Sequence, residues 1–92
     1  MIRLNCFYQA QDGRLDEALA AAKDLTVASR GQDGCLAYDV FESATRPGAL
    51  FICETWRDEA ALAAHAASEP FVRDVAILNA CGSLSIEKFF MA

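Results

Sequence analysis

The stretch Ala49-Leu50-Phe51-Ile52-Cys53-Glu54-Thr55-Trp56-Arg57 runs directly into Asp58-Glu59-Ala60-Ala61-Leu62-Ala63-Ala64-His65-Ala66-Ala67, and the passage from one to the other decides the fold. The first part is apolar, free of glycine and proline, and predicts a strand. Asp58 can accept a hydrogen bond from the first free amides of a helix, and the alanine-rich run behind it has the highest helix propensity available. Ser68-Glu69-Pro70 punctuates that helix, and Phe71, Val72, Val75 and Leu78 then resume a helical spacing, with Pro70 suited to a first turn. Upstream, Cys35-Leu36-Ala37-Tyr38-Asp39-Val40-Phe41-Glu42 predicts another strand, and Arg46-Pro47-Gly48 marks the turn of an antiparallel hairpin.

Further out, Ile2, Leu4, Cys6 and Tyr8 alternate with Arg3, Asn5, Phe7 and Gln9, the period of a strand. Asp12 can cap a following helix whose positions Leu15, Ala18, Leu19, Ala22, Leu25 and Ser29 recur at spacings of three and four and which ends near Gly31. After Gly82, Leu84, Ile86, Lys88 and Phe90 alternate with Ser85, Glu87, Phe89 and Met91 in a last strand. The order β-α-β-β-α-β predicts an α+β, ferredoxin-like fold: a four-stranded antiparallel sheet with both helices on one face, as a single domain over residues 1–92. Phe7, Phe41, Phe89 and Met91 fall on the opposite parity to their apolar neighbours, so both sheet faces carry large apolar groups. Water penalises such a face, and a homodimer packed sheet to sheet is expected.

Composition narrows the function. Eight basic against 13 acidic side chains give a net charge of -5, and the cations are spread along the chain, which disfavours nucleic acid. The hydrophobic fraction of 54% overstates the core, because 18 of the 92 residues are alanine. Cys6, Cys35, Cys53 and Cys81 form no C-x-x-C pair and have only His65 to join them, so a zinc module is not expected. The N-terminus has no signal-peptide pattern and no run approaches a membrane span, which predicts a reduced, cytoplasmic, membrane-free protein.

Leu62 and His65, three apart, share one helix face turned toward the sheet, which puts the sole histidine near the core. Two readings stand: an imidazole satisfied by a backbone carbonyl, or a proton-transfer group with an ordinary pKa of about 6.5. Asn5, Trp56 and Tyr38 are open in the same way, as core or surface side chains or as hydrogen-bonding groups, and Glu54 as a structural carboxylate or a second acid or base. The cysteines read as small core residues rather than nucleophiles.

The pattern Glu54-x-Trp56-Arg57-Asp58-x-x-x-Leu62-x-x-His65-x-x-Ser68-x-Pro70-Phe71 resembles the signature of the antibiotic biosynthesis monooxygenase (ABM) domain family. Ser29-Arg30-Gly31-Gln32-Asp33-Gly34-Cys35-Leu36-Ala37-Tyr38-Asp39 is similar to that family's link between first helix and second strand, except that Gln32 replaces a glutamate, a change expected to touch an ion pair near the turn and no catalytic role. The resemblance implies a dimeric α/β barrel with a pocket between sheet and helices, oxidising a small quinol or polyphenol-like aromatic with O2 and no cofactor. It further implies His65 as base, Asn5 and Trp56 as catalytic donors, and Tyr38, Leu62, Phe71 and Glu54 as substrate-binding residues. Relatives that isomerise or degrade a phosphorylated signal of the autoinducer-2 type would want clustered cations, which are missing here, and haem-degrading relatives an axial histidine where this chain reads Arg73-Asp74-Val75-Ala76. A non-enzymatic dimer that binds a small ligand is the remaining alternative.

Overall fold

Four alternating segments become four strands, and the polar or glycine-containing links between them become turns and helix starts. The computed structural model describes residues 1–92. Its elements are β1 (Ile2–Ala10), α1 (Leu15–Arg30), β2 (Cys35–Glu42), β3 (Ala49–Trp56), α2 (Glu59–Ala66), α3 (Glu69–Cys81) and β4 (Gly82–Phe90). All strand pairs are antiparallel, in the order β2-β3-β1-β4, so the expected ferredoxin-like sheet is present.

The break expected at Ser68-Glu69-Pro70 divides the second helical region into two helices, giving β-α-β-β-α-α-β, because Ser68 leaves helical backbone (ψ 151°) and its hydroxyl caps α3 by accepting from Phe71 N at 3.4 Å. One detail differs from the sequence expectation. Asp12 does not cap α1: Gln11 O accepts from Arg14 N at 3.0 Å in a tight turn through Gly13 (φ 78°), and the helix begins at Leu15 without a side-chain cap. Asp58, by contrast, caps α2 as expected, with Oδ1 accepting from Ala61 N at 2.8 Å.

The helix-covered face of the sheet carries Ile2, Leu4, Cys6 and Tyr8 from β1 and Leu50, Ile52, Glu54 and Trp56 from β3, all buried and facing one another in register. Against them α1 buries Ala18, Ala21, Ala22 and Leu25, where small side chains let the helix backbone approach closely, and α3 contributes Leu78 and Cys81. Each full-sized apolar side chain so buried is worth about 1.5–3 kcal/mol.

One irregularity in β2 decides which face its aromatic takes. Cys35 pairs with Trp56, but Ala37 pairs with Thr55 and Tyr38 with Glu54, so an extra residue is accommodated between Cys35 and Ala37. Without that bulge, strict alternation from Cys35 would turn Tyr38 outward. With it, Tyr38 is buried on the covered face, while Phe41, Phe51 and Phe7 line up across β2, β3 and β1 on the other. That open face exposes Phe7 by 42%, Phe41 by 52%, Phe89 by 47% and Met91 by 40%. No helix is long and apolar enough to cross a membrane.

Gly34 ties the α1–β2 link to α2. Its φ of +80° is left-handed, its carbonyl accepts from Arg57 N at 2.8 Å, and a Cβ there would overlap the Cβ of Ala61. Gly34→Ala is therefore expected to lose on the order of 3 kcal/mol, from left-handed strain plus overpacking. Urea unfolding should show a lower midpoint with an unchanged slope.

Candidate functional site

The candidate site forms where α2 crosses the end of the covered sheet face. α2 has eight residues, chiefly alanine, and buries only Ala61 and His65, so His65 is the one large side chain that it inserts. The imidazole is 2% exposed. It lies over Trp56 (ring centroids 4.4 Å, planes inclined 34°), meets the edge of Phe71 at 5.1 Å and stands 5.7 Å from the Tyr38 ring. Three elements, β2, β3 and α3, thus wall one ring with aromatics.

Polar partners complete the site. The Nδ1 atom of His65 is 2.7 Å from Oε1 of Gln32, and Nε2 is 3.9 Å from Oε1 of Glu54. Glu54 is itself 4% exposed and accepts from Trp56 Nε1 at 2.9 Å and, on its other oxygen, from Cys6 Sγ at 3.5 Å. Burial in this apolar layer raises the Glu54 pKa above the usual carboxylate range, against the opposing effect of Trp56, Cys6 and Tyr38. Burial lowers His65 from 6.5 to about 4, so the ring is neutral at pH 7. The Cys6 thiol and the Tyr38 phenol are both pushed well up, by burial first and by the neighbouring Glu54 charge second.

Of the residues singled out from the sequence, His65, Glu54, Trp56, Tyr38 and Phe71 converge here. Leu62 is half-buried and packs on the core beside them. Asn5 does not converge: it pairs with Cys53 and Glu87 on the open face of the sheet, where its Oδ1 accepts from Arg3 Nε at 3.1 Å. The expected convergence of Asn5 with His65 is therefore absent, since strand parity puts the whole sheet between them. Trp56 is in place and fully buried, and its indole N–H is committed to Glu54 Oε1. Around His65, where a pocket is expected, aromatic rings pack closely on the imidazole. A cavity of about 730 Å³ lies at the hairpin end of the open face between Phe7, Phe41, Phe51 and Arg46.

Sequence reasoning missed two members. Gln32, expected to act only near a turn, is the hydrogen-bond partner of the histidine. Cys6, expected as inert core, donates to Glu54. The signal for Gln32 was its place in the link motif, at the position where the family pattern carries a glutamate; for Cys6 it was the shared parity with Leu4 and Tyr8 opposite Ile52. No group of three His, Cys, Asp or Glu side chains is disposed to hold a metal ion.

The two titratable groups make opposite contributions to acid stability. His65, with its pKa lowered to about 4, favours the folded state above pH 6.5 and loses that contribution as pH falls toward 4. Glu54, with its pKa raised, favours the folded state when protonated and loses that contribution as pH rises from its usual range through the raised value. Between pH 6.5 and 4.5, acidification is therefore expected to cost Glu54→Gln more stability than wild type, and His65→Asn less. Denaturant titrations at the two pH values check both differences.

With this geometry in view, three relatives and a family bear on what the chain is. A conserved protein of unknown function from Bacteroides thetaiotaomicron VPI-5482, described as a possible oxidoreductase, superposes with a TM-score of 0.93 at 42% identity, covering 96% of this chain and 94% of its own. A crystal structure described as an antibiotic biosynthesis monooxygenase superposes with a TM-score of 0.91 at 29% identity, covering 100% and 99%. YcnE of Bacillus subtilis (strain 168), whose name assigns it provisionally to the monooxygenases, is 32% identical over 65 residues, 71% of this chain and 68% of that protein. Residues 1–75, which include all of β1 through α2 and the aromatic wall around His65, match the family described as Antibiotic biosynthesis monooxygenase, and the chain belongs to that family.

Proposed function

We propose that the protein is a cofactor-independent monooxygenase that oxidises a small quinol or polyphenol-like aromatic with O2, with Nε2 of His65 as the proton acceptor. The observation that carries this reading is a neutral imidazole, walled by Trp56, Tyr38 and Phe71, with one nitrogen bonded to Gln32 and the other turned toward a buried carboxyl. A phenol is a weak acid, and its anion is the electron-rich form that gives an electron to oxygen. A base in a water-poor site makes that anion and prevents its reprotonation by solvent. The overall change balances without a further reductant: a quinol and O2 give a hydroxyquinone and water, with all electrons drawn from the substrate.

The roles follow from the atoms. His65 Nε2 takes the phenolic proton, and the Glu54 carboxyl 3.9 Å away stabilises the imidazolium that results. Trp56 and Cys6 hold Glu54 in place. Phe71 and Leu62 supply the apolar wall of the substrate space, and Tyr38 its polar edge. The substrate enters by displacing α2, which is anchored by only two buried side chains and ends at the break before Ser68. None of the side chains in contact with His65 is cationic, which favours a neutral aromatic over a phosphorylated signal.

The same reading includes a homodimer and a cytoplasmic location, where the four unpaired cysteines stay reduced. The phenylalanine row on the open face and the exposed Phe89 and Met91 support a second copy as its cover. Light scattering at micromolar concentration should report twice the chain mass, and a monomer there would remove the dimer from the reading.

Activity is testable by oxygen uptake over a panel of hydroquinones, with protein dialysed against chelator. Wild type should exceed the uncatalysed rate, and His65→Ala should lose on the order of a hundredfold or more. Asn5→Ala, on the far side of the sheet, should not share that loss. If none of the three exceeds the buffer rate on any quinol, the non-enzymatic ligand-binding reading takes its place.

A further inference from the structure

A closed set of hydrogen bonds joins the α1–β2 link to the junction between α2 and α3. The Ser68 hydroxyl is 2.6 Å from the carbonyl oxygen of His65 and donates its single proton there. Toward Gln32 and toward Phe71 N, the same oxygen can then only accept. The Gln32 side chain therefore presents its NH2 group to Ser68, at 3.1 Å, and its carbonyl oxygen to the imidazole, at 2.7 Å. A carbonyl oxygen cannot donate, so the imidazole nitrogen facing it, Nδ1, carries the hydrogen. The other nitrogen, Nε2, is left with a bare lone pair on the Glu54 side.

We propose that Gln32 is a positioning residue that holds His65 in the Nδ1–H tautomer, so that Nε2 stands ready as an unprotonated acceptor toward Glu54. The inference rests on the reading of Nε2 as the base, and it adds how the chain selects that nitrogen. An unconstrained imidazole exchanges the proton between its nitrogens, so part of the protein would always present an N–H where the mechanism needs a lone pair. Gln32 abolishes that mixture without adding charge. A carboxylate at the same position would accept the same hydrogen bond and would also stabilise the imidazolium, converting a neutral base into one already protonated over part of the physiological range. Gln32 thus keeps the site usable in mildly acidic conditions.

The groups that could compete are identifiable on every element around the ring. Cys6 on β1, Tyr38 on β2 and Glu54 on β3 face the polar side, and α3 presents the uncharged Phe71. Arg30 of α1 is turned to the Tyr38 carbonyl and to Asp39, and Glu59 of α2 is engaged by Lys88 of β4 at 2.9 Å. Glu54 is the only charged group close to Nε2, and Gln32 is the only group bonded to Nδ1.

The chain has one histidine, so its imidazole nitrogens can be read directly by 15N NMR on uniformly labelled protein. At pH 7 the wild type should show a protonated Nδ1 and a bare Nε2, and the ring should titrate far below 6.5, at about 4. A protonated Nε2 in wild type overturns the proposal and needs no variant to fold. In Gln32→Met the spectrum should become a mixture of tautomers, and in Gln32→Glu the midpoint should rise by about 1 pH unit or more. An unchanged tautomer in Gln32→Met, or an unchanged midpoint in Gln32→Glu, would each assign Gln32 a packing role only. The acid limb of the quinol oxidation rate should move with the midpoint in Gln32→Glu. Absence of oxidation in every form, with the wild-type tautomer as stated, would overturn the enzymatic reading and leave the positioning role in place.

Discussion

The burial of a carboxyl and an imidazole in an otherwise apolar layer is the constraint around which this structure is arranged. Glu54 and His65 are each almost inaccessible to water, and a buried polar group without partners costs a few kcal/mol. Both oxygens of Glu54 are engaged, one by the Trp56 indole and one by the Cys6 thiol, and the histidine is engaged through Gln32. Each of those partners comes from a different place in the chain, so the cluster can be satisfied only when β1, β3, α2 and the α1–β2 link are all in register. A one-residue slip of β1 against β3 would leave Glu54 short of a donor and bring Asn5 or Phe7 into the core. The polar cluster therefore specifies a register that apolar packing alone would enforce less sharply.

The same cluster sits beneath a helix that is itself slight. Besides His65, the helix gives the core only Ala61 and part of Leu62, and the alanines around the histidine keep α2 thin. Its position is set from outside: Gly34 touches Ala61, Asp58 caps the first turn, and Arg57 links Asp58 to Asp33 across the junction. These contacts all fasten the N-terminal turn of α2.

The two faces of the sheet divide the work. The covered face holds the core and the polar cluster, whereas the open face holds a row of phenylalanines with only partial cover. This division follows from the pleat, since neighbouring residues of one strand point to different faces. Cys53 and Glu54 are adjacent in sequence and on opposite faces of the sheet.

Periodicity was enough to read the four strands, the antiparallel hairpin, the helical break at Ser68-Glu69-Pro70 and the inward turn of His65, because each depends on neighbours within a few residues. Parity also placed Asn5 beside Phe7 and away from Cys6, on the face opposite His65. Three features were decided only by tertiary structure. The bulge between Cys35 and Ala37 turned Tyr38 inward, and no local pattern announces an extra residue that only the partner strand can reveal. The Trp56 indole N–H was taken up by Glu54, its neighbour on the same strand face, because the helices over that face leave neither group water as a partner. Gln32 reached His65 across 33 positions through a turn whose path is set by Gly34 and by α2, and a hydrogen bond between chain-distant groups has no periodicity by which a sequence could display it.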